Sequence, residues 1–171
     1  MMADLDAAPY GGARYPIEAR LDNRTLTTFH LDVGVGDALS AAAEWLTGPD
    51  TLRFAEISPV RVAALAREQQ FAEKAHAYTL PRGDRTNTRV KDLVDLVLLL
   101  RFGLPDPEMV KQTLRATSAR RATHPLPTTL PPPPAEWRAA FADLATEAAL
   151  AVASVDAAFQ EVAAYWQALA L

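Results

Sequence analysis

Between His124 and Pro134 the chain carries six prolines, Pro125, Pro127 and Pro131 to Pro134. Proline fixes φ and lacks a backbone N–H, so neither a helix nor an inner strand can cross this stretch, which must run as an extended connector. A tail of 37 residues follows, 15 of them alanine, the strongest helix former. Within it Val152, Val155, Phe159, Val162, Trp166 and Leu169 recur at intervals of three and four, as do Trp137, Phe141, Leu144 and Ala148. This predicts two packed helices with a break near Ser154, and an aromatic stripe that is core rather than a cofactor site.

The part before the connector is mixed. Ile17, Ala19 and Leu21 alternate with Glu18 and Arg20, Asp22-Asn23-Arg24 supplies a turn, and Thr25 to Val33 is again β-rich, which predicts a hairpin over 17–33. Thr27, Phe29, Leu31 and Val33 then share one face, and Leu26, Thr28, His30 and Asp32 the other. Gly34-Val35-Gly36-Asp37 ends the second strand. Lacking neighbours, such a hairpin would leave an exposed sheet edge, open to dimerisation. An alanine-rich piece at 41–46 and a loop at Gly48-Pro49-Asp50 lead to an expected short strand over Leu52 to Ile57. Ser58-Pro59 reads as a helix start, with the helix running to about Tyr78. Pro81 to Asp84 breaks it, a second helix spans about Thr88 to Phe102 until Gly103 and Pro105, and Asp106-Pro107-Glu108 opens a third to about Ala119.

Several classes are excluded. The longest strictly aliphatic run is Leu96 to Leu100, far below the ~18 residues of a membrane span. Met1 to Asp6 has neither a basic start nor an apolar core, so no signal peptide is expected. The absence of cysteine rules out thiolate chemistry and suits a reducing cytoplasm. His30, His76 and His124 share no ligand spacing. The net charge of −4 is uneven: residues 82–121 hold nine Lys/Arg against five acids, a local basic field on an acidic body. Solvated helix faces would give this pattern, as would phosphates held at one site.

Within the second helix, Asp92 and Asp95 project to one side, and Leu96 and Leu99 fall on that side one turn later. The helix is therefore apolar all round from Leu96 onward, which implies burial of every face and a need for partners at the acids. Arg89 at i−3 from Asp92 and Lys91 at i−4 from Asp95 could supply them locally. Lys74, in Ala72-Glu73-Lys74-Ala75-His76-Ala77-Tyr78, shares a face with Gln70 and Tyr78 and would ordinarily be a solvated surface group.

Taken in order, Glu18-Ala19-Arg20-Leu21, Phe29-His30-Leu31-Asp32-Val33-Gly34 with Gly36-Asp37, Ala72 to Ala77, and Asn87-Thr88-Arg89-Val90-Lys91-Asp92-Leu93-Val94-Asp95-Leu96 resemble the AbiEii/AbiGii nucleotidyltransferase toxins of abortive-infection and toxin–antitoxin systems. The resemblance spans Tyr10 to Leu100, with a fainter echo in the proline connector and Trp137. It implies an α+β, mostly helical fold: the remnant of a polymerase-β-like nucleotidyltransferase sheet, the hairpin 17–33, followed by a helical C-terminal bundle. The corresponding division is a partial catalytic core over 1–57 carrying Asp32, a helical region over 58–123 carrying Lys74 and the Arg-x-Lys-Asp-x-x-Asp-Leu motif, the connector 124–134, and C-terminal helices over 135–171.

It further implies transfer of a nucleoside monophosphate from Mg²⁺-bound NTP to an acceptor such as tRNA or a protein, in the cytoplasm, under the control of a cognate antitoxin. Such chemistry rests on positioning and charge stabilisation by metal and cations. Asp32 would be the third carboxylate, a metal ligand or base. Lys74 would hold the triphosphate, and Asp92, surrounded by Arg89, Lys91 and Asp95, would support the nucleotide pocket and orient Lys74. The family's first motif, Gly-Ser or Gly-Thr followed by two acids one residue apart, has no match. Asp4-Leu5-Asp6 has the acid spacing, but its glycines, Gly11 and Gly12, come after it. The chain is therefore expected to be a C-terminal portion, inactive alone, either truncated or completed by a separately encoded N-terminal half. The alternative is a non-catalytic helical module that binds an antitoxin or a target.

Overall fold

In a computed structural model, residues 3–4, 11–36, 39, 41–84, 86–104, 106–152 and 154–171 are described. Asp6, Asp37 and Pro105 lie outside them. The chain divides into two compact units, Met1–Ala38 and Leu39–Leu171.

The first unit is a three-stranded antiparallel sheet in the order β1-β2-β3, with β1 Ala3–Asp4, β2 Gly12–Leu21 and β3 Arg24–Gly34. The hairpin is longer than 17–33, because β2 begins five residues earlier. Asp22 and Asn23 connect the strands with φ of 49° and 58°. Two successive positive φ values make the turn whose twist matches the flanking strands, and Asn and Asp tolerate it well. At the far end Gly12 pairs with Gly34, where a Cβ would overlap the Val33 carbonyl oxygen. The register puts Ala13, Tyr15, Ile17 and Ala19 opposite Val33, Leu31, Phe29 and Thr27, so one face of the ribbon is almost entirely apolar. Phe29 and Leu31 on that face are about half exposed, at 50% and 49%. The other face pairs Arg14 with Asp32 and Glu18 with Thr28.

The second unit begins with a two-stranded antiparallel sheet, β4 Glu44–Thr47 and β5 Arg61–Ala64. Two sequence expectations fail here. Leu52 to Ile57 is not a strand: it holds a 3-10 turn over Arg53–Ala55, closed by Glu56 at φ 57°. Ser58-Pro59 does not cap a helix. The residues after it pair with β4, Val62 opposite Leu46, and the proline stays outside the ladder, where its missing N–H costs nothing. Helix α1 starts only at Arg67 and runs to Thr79. Ala66 before it has no capping side chain, and the Arg67 N–H instead donates to the Glu44 carboxylate of β4, at 3.3 Å.

The remaining helices are α2 Val90–Phe102, α3 Pro107–Arg121, α4 Trp137–Glu147 and α5 Val155–Ala168. Asp106 caps α3 by accepting the Glu108 N–H at 2.9 Å, ahead of Pro107. Ser154 caps α5 in the same way, through the Ala157 N–H at 3.1 Å. The proline stretch carries neither helix nor strand. Its carbonyls are used: Pro127 O accepts from Trp166 Nε1 and Pro131 O from the Tyr78 hydroxyl.

The core centres on α2. Leu93, Leu96 and Val97 are fully buried, together with Phe71 and Ala72 of α1, Val110 of α3, and Ala158 and Val162 of α5. Each large apolar side chain so buried contributes about 1.5–3 kcal/mol. Trp137, Phe141 and Trp166 are buried with them, as core. The expectation that α2 is buried on every face beyond Leu96 is only partly met, since Leu98 and Leu100 are half-buried and Phe102 is 75% exposed.

Candidate functional site

Lys74 lies in α1 and Asp92 and Asp95 in the first turns of α2, and the packing of the two helices brings them together. Lys74 Nζ stands 2.7 Å from Asp95 Oδ2 and 3.4 Å from Asp92 Oδ1, and Arg89 Nη1 lies 3.7 Å from Asp92 Oδ2. The local pairing of Lys91 with Asp95 is not formed. Lys74 takes Asp95 from the neighbouring helix, while Lys91 stays exposed.

The two acids differ in setting. Asp92 is 5% exposed, and burial pushes its carboxyl above the usual carboxylate range against the opposing pull of Lys74 and Arg89. Its Oδ2 has charge compensation from Arg89 but no hydrogen bond among the described residues. Burial also works against the Lys74 ammonium, yet the hydrogen bond and charge of Asp95, then Asp92, overcome it and hold Lys74 above its ordinary value. Lys74 is thus a fixed, fully charged donor, its side chain 37% exposed and so open to solvent on part of its surface. Lys74 and Arg89 thus face the two carboxylates, and Lys91 lies exposed two residues after Arg89.

Asp32 belongs to the other unit. Across the β2–β3 ribbon, Arg14 Nε and Nη2 each lie 2.7 Å from one of its oxygens, a bidentate pair. The hydrogen bond from Arg14 holds the Asp32 carboxyl below its usual range. With both oxygens occupied, Asp32 does not fit a metal ligand as it stands, and no group of three or more His, Asp or Glu able to hold a metal occurs among the described residues.

Three features escape sequence reasoning. Arg14 lies upstream of the expected hairpin, and only extending the alternation through Ala13-Arg14-Tyr15 would have found it. Trp137 Nε1 donates to Asn87 O at 2.7 Å, while Asn87 Oδ1 accepts the Arg89 N–H at 3.1 Å, so α4 fixes the start of α2. His76 and His124 stack at 4.4 Å between ring centroids, each with a ring nitrogen 2.8 Å from a threonine hydroxyl, Thr123 and Thr79 respectively.

The described chain is thus α+β, with a lysine of one helix held between two carboxylates of the next. The family "Nucleotidyl transferase AbiEii toxin, Type IV TA system" matches residues 3–165, nearly the whole chain, and the chain belongs to that family. No curated protein matches the chain. The family's role is nucleotidyl transfer by a toxin, its members generally use a divalent metal, and a type IV toxin–antitoxin family implies an antitoxin as partner. Among the described residues no helix is long and apolar enough to cross a membrane.

Proposed function

We propose that this chain is the triphosphate-holding part of a nucleotidyltransferase toxin with a polymerase-β-like core, acting in the cytoplasm under a cognate antitoxin. The reaction moves a nucleoside monophosphate from Mg-NTP to an acceptor hydroxyl, on tRNA or a protein. The acceptor oxygen forms a bond to the α-phosphorus, the bond to the bridging oxygen breaks, pyrophosphate leaves, and the acceptor proton passes to a base. The observation that carries the reading is the Lys74 ammonium set between Asp95 and Asp92 with part of its surface open to solvent. Lys74 holds the triphosphate as a point charge. Asp92 and Asp95 orient it, and Arg89 and Lys91 extend the positive rim. Asp32 is the third carboxylate of this reading, a base toward the acceptor hydroxyl rather than a metal ligand. Mg²⁺ arrives as part of the substrate.

The 171 residues hold no Gly-Ser or Gly-Thr before a pair of acids, so these residues by themselves are expected to lack transfer and to need that motif supplied from outside them. Incubation with Mg²⁺, labelled NTPs and total tRNA tests this. No label moves with the chain alone, label moves when a polypeptide carrying Gly-Ser…Asp-x-Asp is added, and Asp32→Ala and Lys74→Ala abolish it. Transfer by the chain alone would overturn the incompleteness. A second reading, a non-catalytic module that binds antitoxin or target, draws on the bidentate hold of Arg14 on Asp32. Under it, Asp32, Lys74 and Asp92 substitutions leave partner binding intact, while changes in α4 and α5 abolish it.

A further inference from the structure

Strand β3 is an edge of the first sheet, with no described strand of its unit beyond it. Which of its backbone groups are open follows from the register. The Val35 N–H donates to Gly11 O at 3.0 Å, and the bonded pairs of an antiparallel ladder recur at every second residue. Ala13–Val33, Tyr15–Leu31 and Ile17–Phe29 are therefore the bonded pairs of β2 and β3, and Arg14–Asp32, Pro16–His30 and Glu18–Thr28 the unbonded ones. Pro16, which has no N–H to give, suits that alternation. Thr28, His30 and Asp32 consequently turn their N–H and C=O groups to the free edge.

The two sides of the sheet differ in protection. Along β2, β1 covers Ala13 and Arg14, and the nitrogen of Pro16 then faces outward and blocks a further strand. Strand β3 has neither proline nor lysine, and its pairing is regular from Thr27 to Val33, since the register shift falls at Ala19/Arg20. Its acid, Asp32, is neutralised by the bidentate Arg14. A long, regular edge without a repelling charge is a template for another strand.

We propose that the strand it receives is β3 of a second copy of this chain, antiparallel about a two-fold axis at His30. Across that axis His30 meets His30, Thr28 meets Asp32, Phe29 meets Leu31 and Thr27 meets Val33. The outward N–H and C=O groups of Thr28, His30 and Asp32 then bond to one another. Phe29 and Leu31, half exposed in the single chain, become cross-strand neighbours on one face. On the other face the Thr28 hydroxyl meets the Asp32 carboxylate, and no like charges are opposed. Sliding the copies by one residue would set the apolar face of one beside the polar face of the other. Sliding by two puts Leu26 opposite Asp32, or brings Gly34 into the ladder.

The association is independent of the reading of Lys74, which lies in the other unit. Sedimentation equilibrium of the full chain at about 10–100 µM tests it. A species of twice the chain's 18.5 kDa is expected. His30→Lys and His30→Glu each oppose like charges on the axis and should give monomers, and the two variants mixed in equal amounts should pair with each other. Because the chain has no cysteine, cross-linking supplies a second measurement if those variants do not fold. His30→Cys, with its two copies about 5.5 Å apart between Cα atoms, should form a disulfide-linked dimer on oxidation. Arg24→Cys, with its copies about 40 Å apart along the paired strands, should not. A monomer at every concentration overturns the proposal, as do dimers of both charged variants or equal cross-linking of His30→Cys and Arg24→Cys. Folded charged variants that stay monomeric when mixed overturn the pairing at His30.

Discussion

Lowering the pH from 7 to 5 should destabilise the second unit through His76. The imidazole is 5% exposed, packed on His124, with Thr123 at one ring nitrogen. Burial, then the positive charges that His124 and Arg121 bring, push its pKa from 6.5 down to about 4. In the unfolded chain the ring takes a proton near pH 6.5, so between the two values the unfolded state binds more protons than the folded one. Stability is full above pH 6.5, falls as pH drops below it, and stops falling once the folded ring itself titrates near 4. Linkage converts this difference into a loss of about 2 kcal/mol between pH 7 and pH 5. His124, whose pKa burial also lowers, adds in the same direction. Asp92 works oppositely: its folded pKa is raised, so acid favours the folded form there. Urea unfolding at pH 7, 6 and 5, followed by the fluorescence of buried Trp137 and Trp166, measures the loss, and His76→Gln should remove most of the slope. An equal slope in His76→Gln, or a flat profile in the unsubstituted chain, would show that His76 does not carry the acid sensitivity.

Lys74→Met leaves the buried Asp92 with a weaker counter-charge and should cost about 1–3 kcal/mol in urea unfolding, with Lys74→Met/Asp92→Leu recovering part of it. Trp137→Phe keeps the ring but orphans the Asn87 carbonyl, costing about 1–3 kcal/mol by the same assay. Leu93→Ala, at the centre of α2, should cost about 2–5 kcal/mol as the cavity term adds to lost burial. Arg14→Ala should raise the Asp32 pKa toward its ordinary value in a carboxyl NMR titration, since the Arg14 hydrogen bond is the largest cause of its depression.

What could be read from the sequence was local. The alternation through β3, the Asp106-Pro107 cap of α3, the proline connector and the spacing of α4 and α5 each depend on neighbours within a few residues, and the structure keeps them. Ser58-Pro59 misled because the same pair can open a helix or precede a strand, and here the residues after it pair with β4, outside the local window that signals a cap. The acids of α2 needed partners, as their apolar surroundings required, but the partner of Asp95 came from α1 rather than from Lys91. The contacts of Trp137 with Asn87 and of His76 with His124 join residues about fifty positions apart. No periodicity encodes a pairing of that range. It follows from how the helices pack around Leu93 and Leu96.

On the proposed function, Lys74, clamped by Asp92 and Asp95, holds a triphosphate. Calorimetric titration of Mg-NTP into the full chain and into Lys74→Met, with both first shown to be folded by their unfolding curves, tests it most directly. Measurable binding by the unsubstituted chain and a loss of about tenfold or more on substitution are expected. Equal affinity in the two would contradict it.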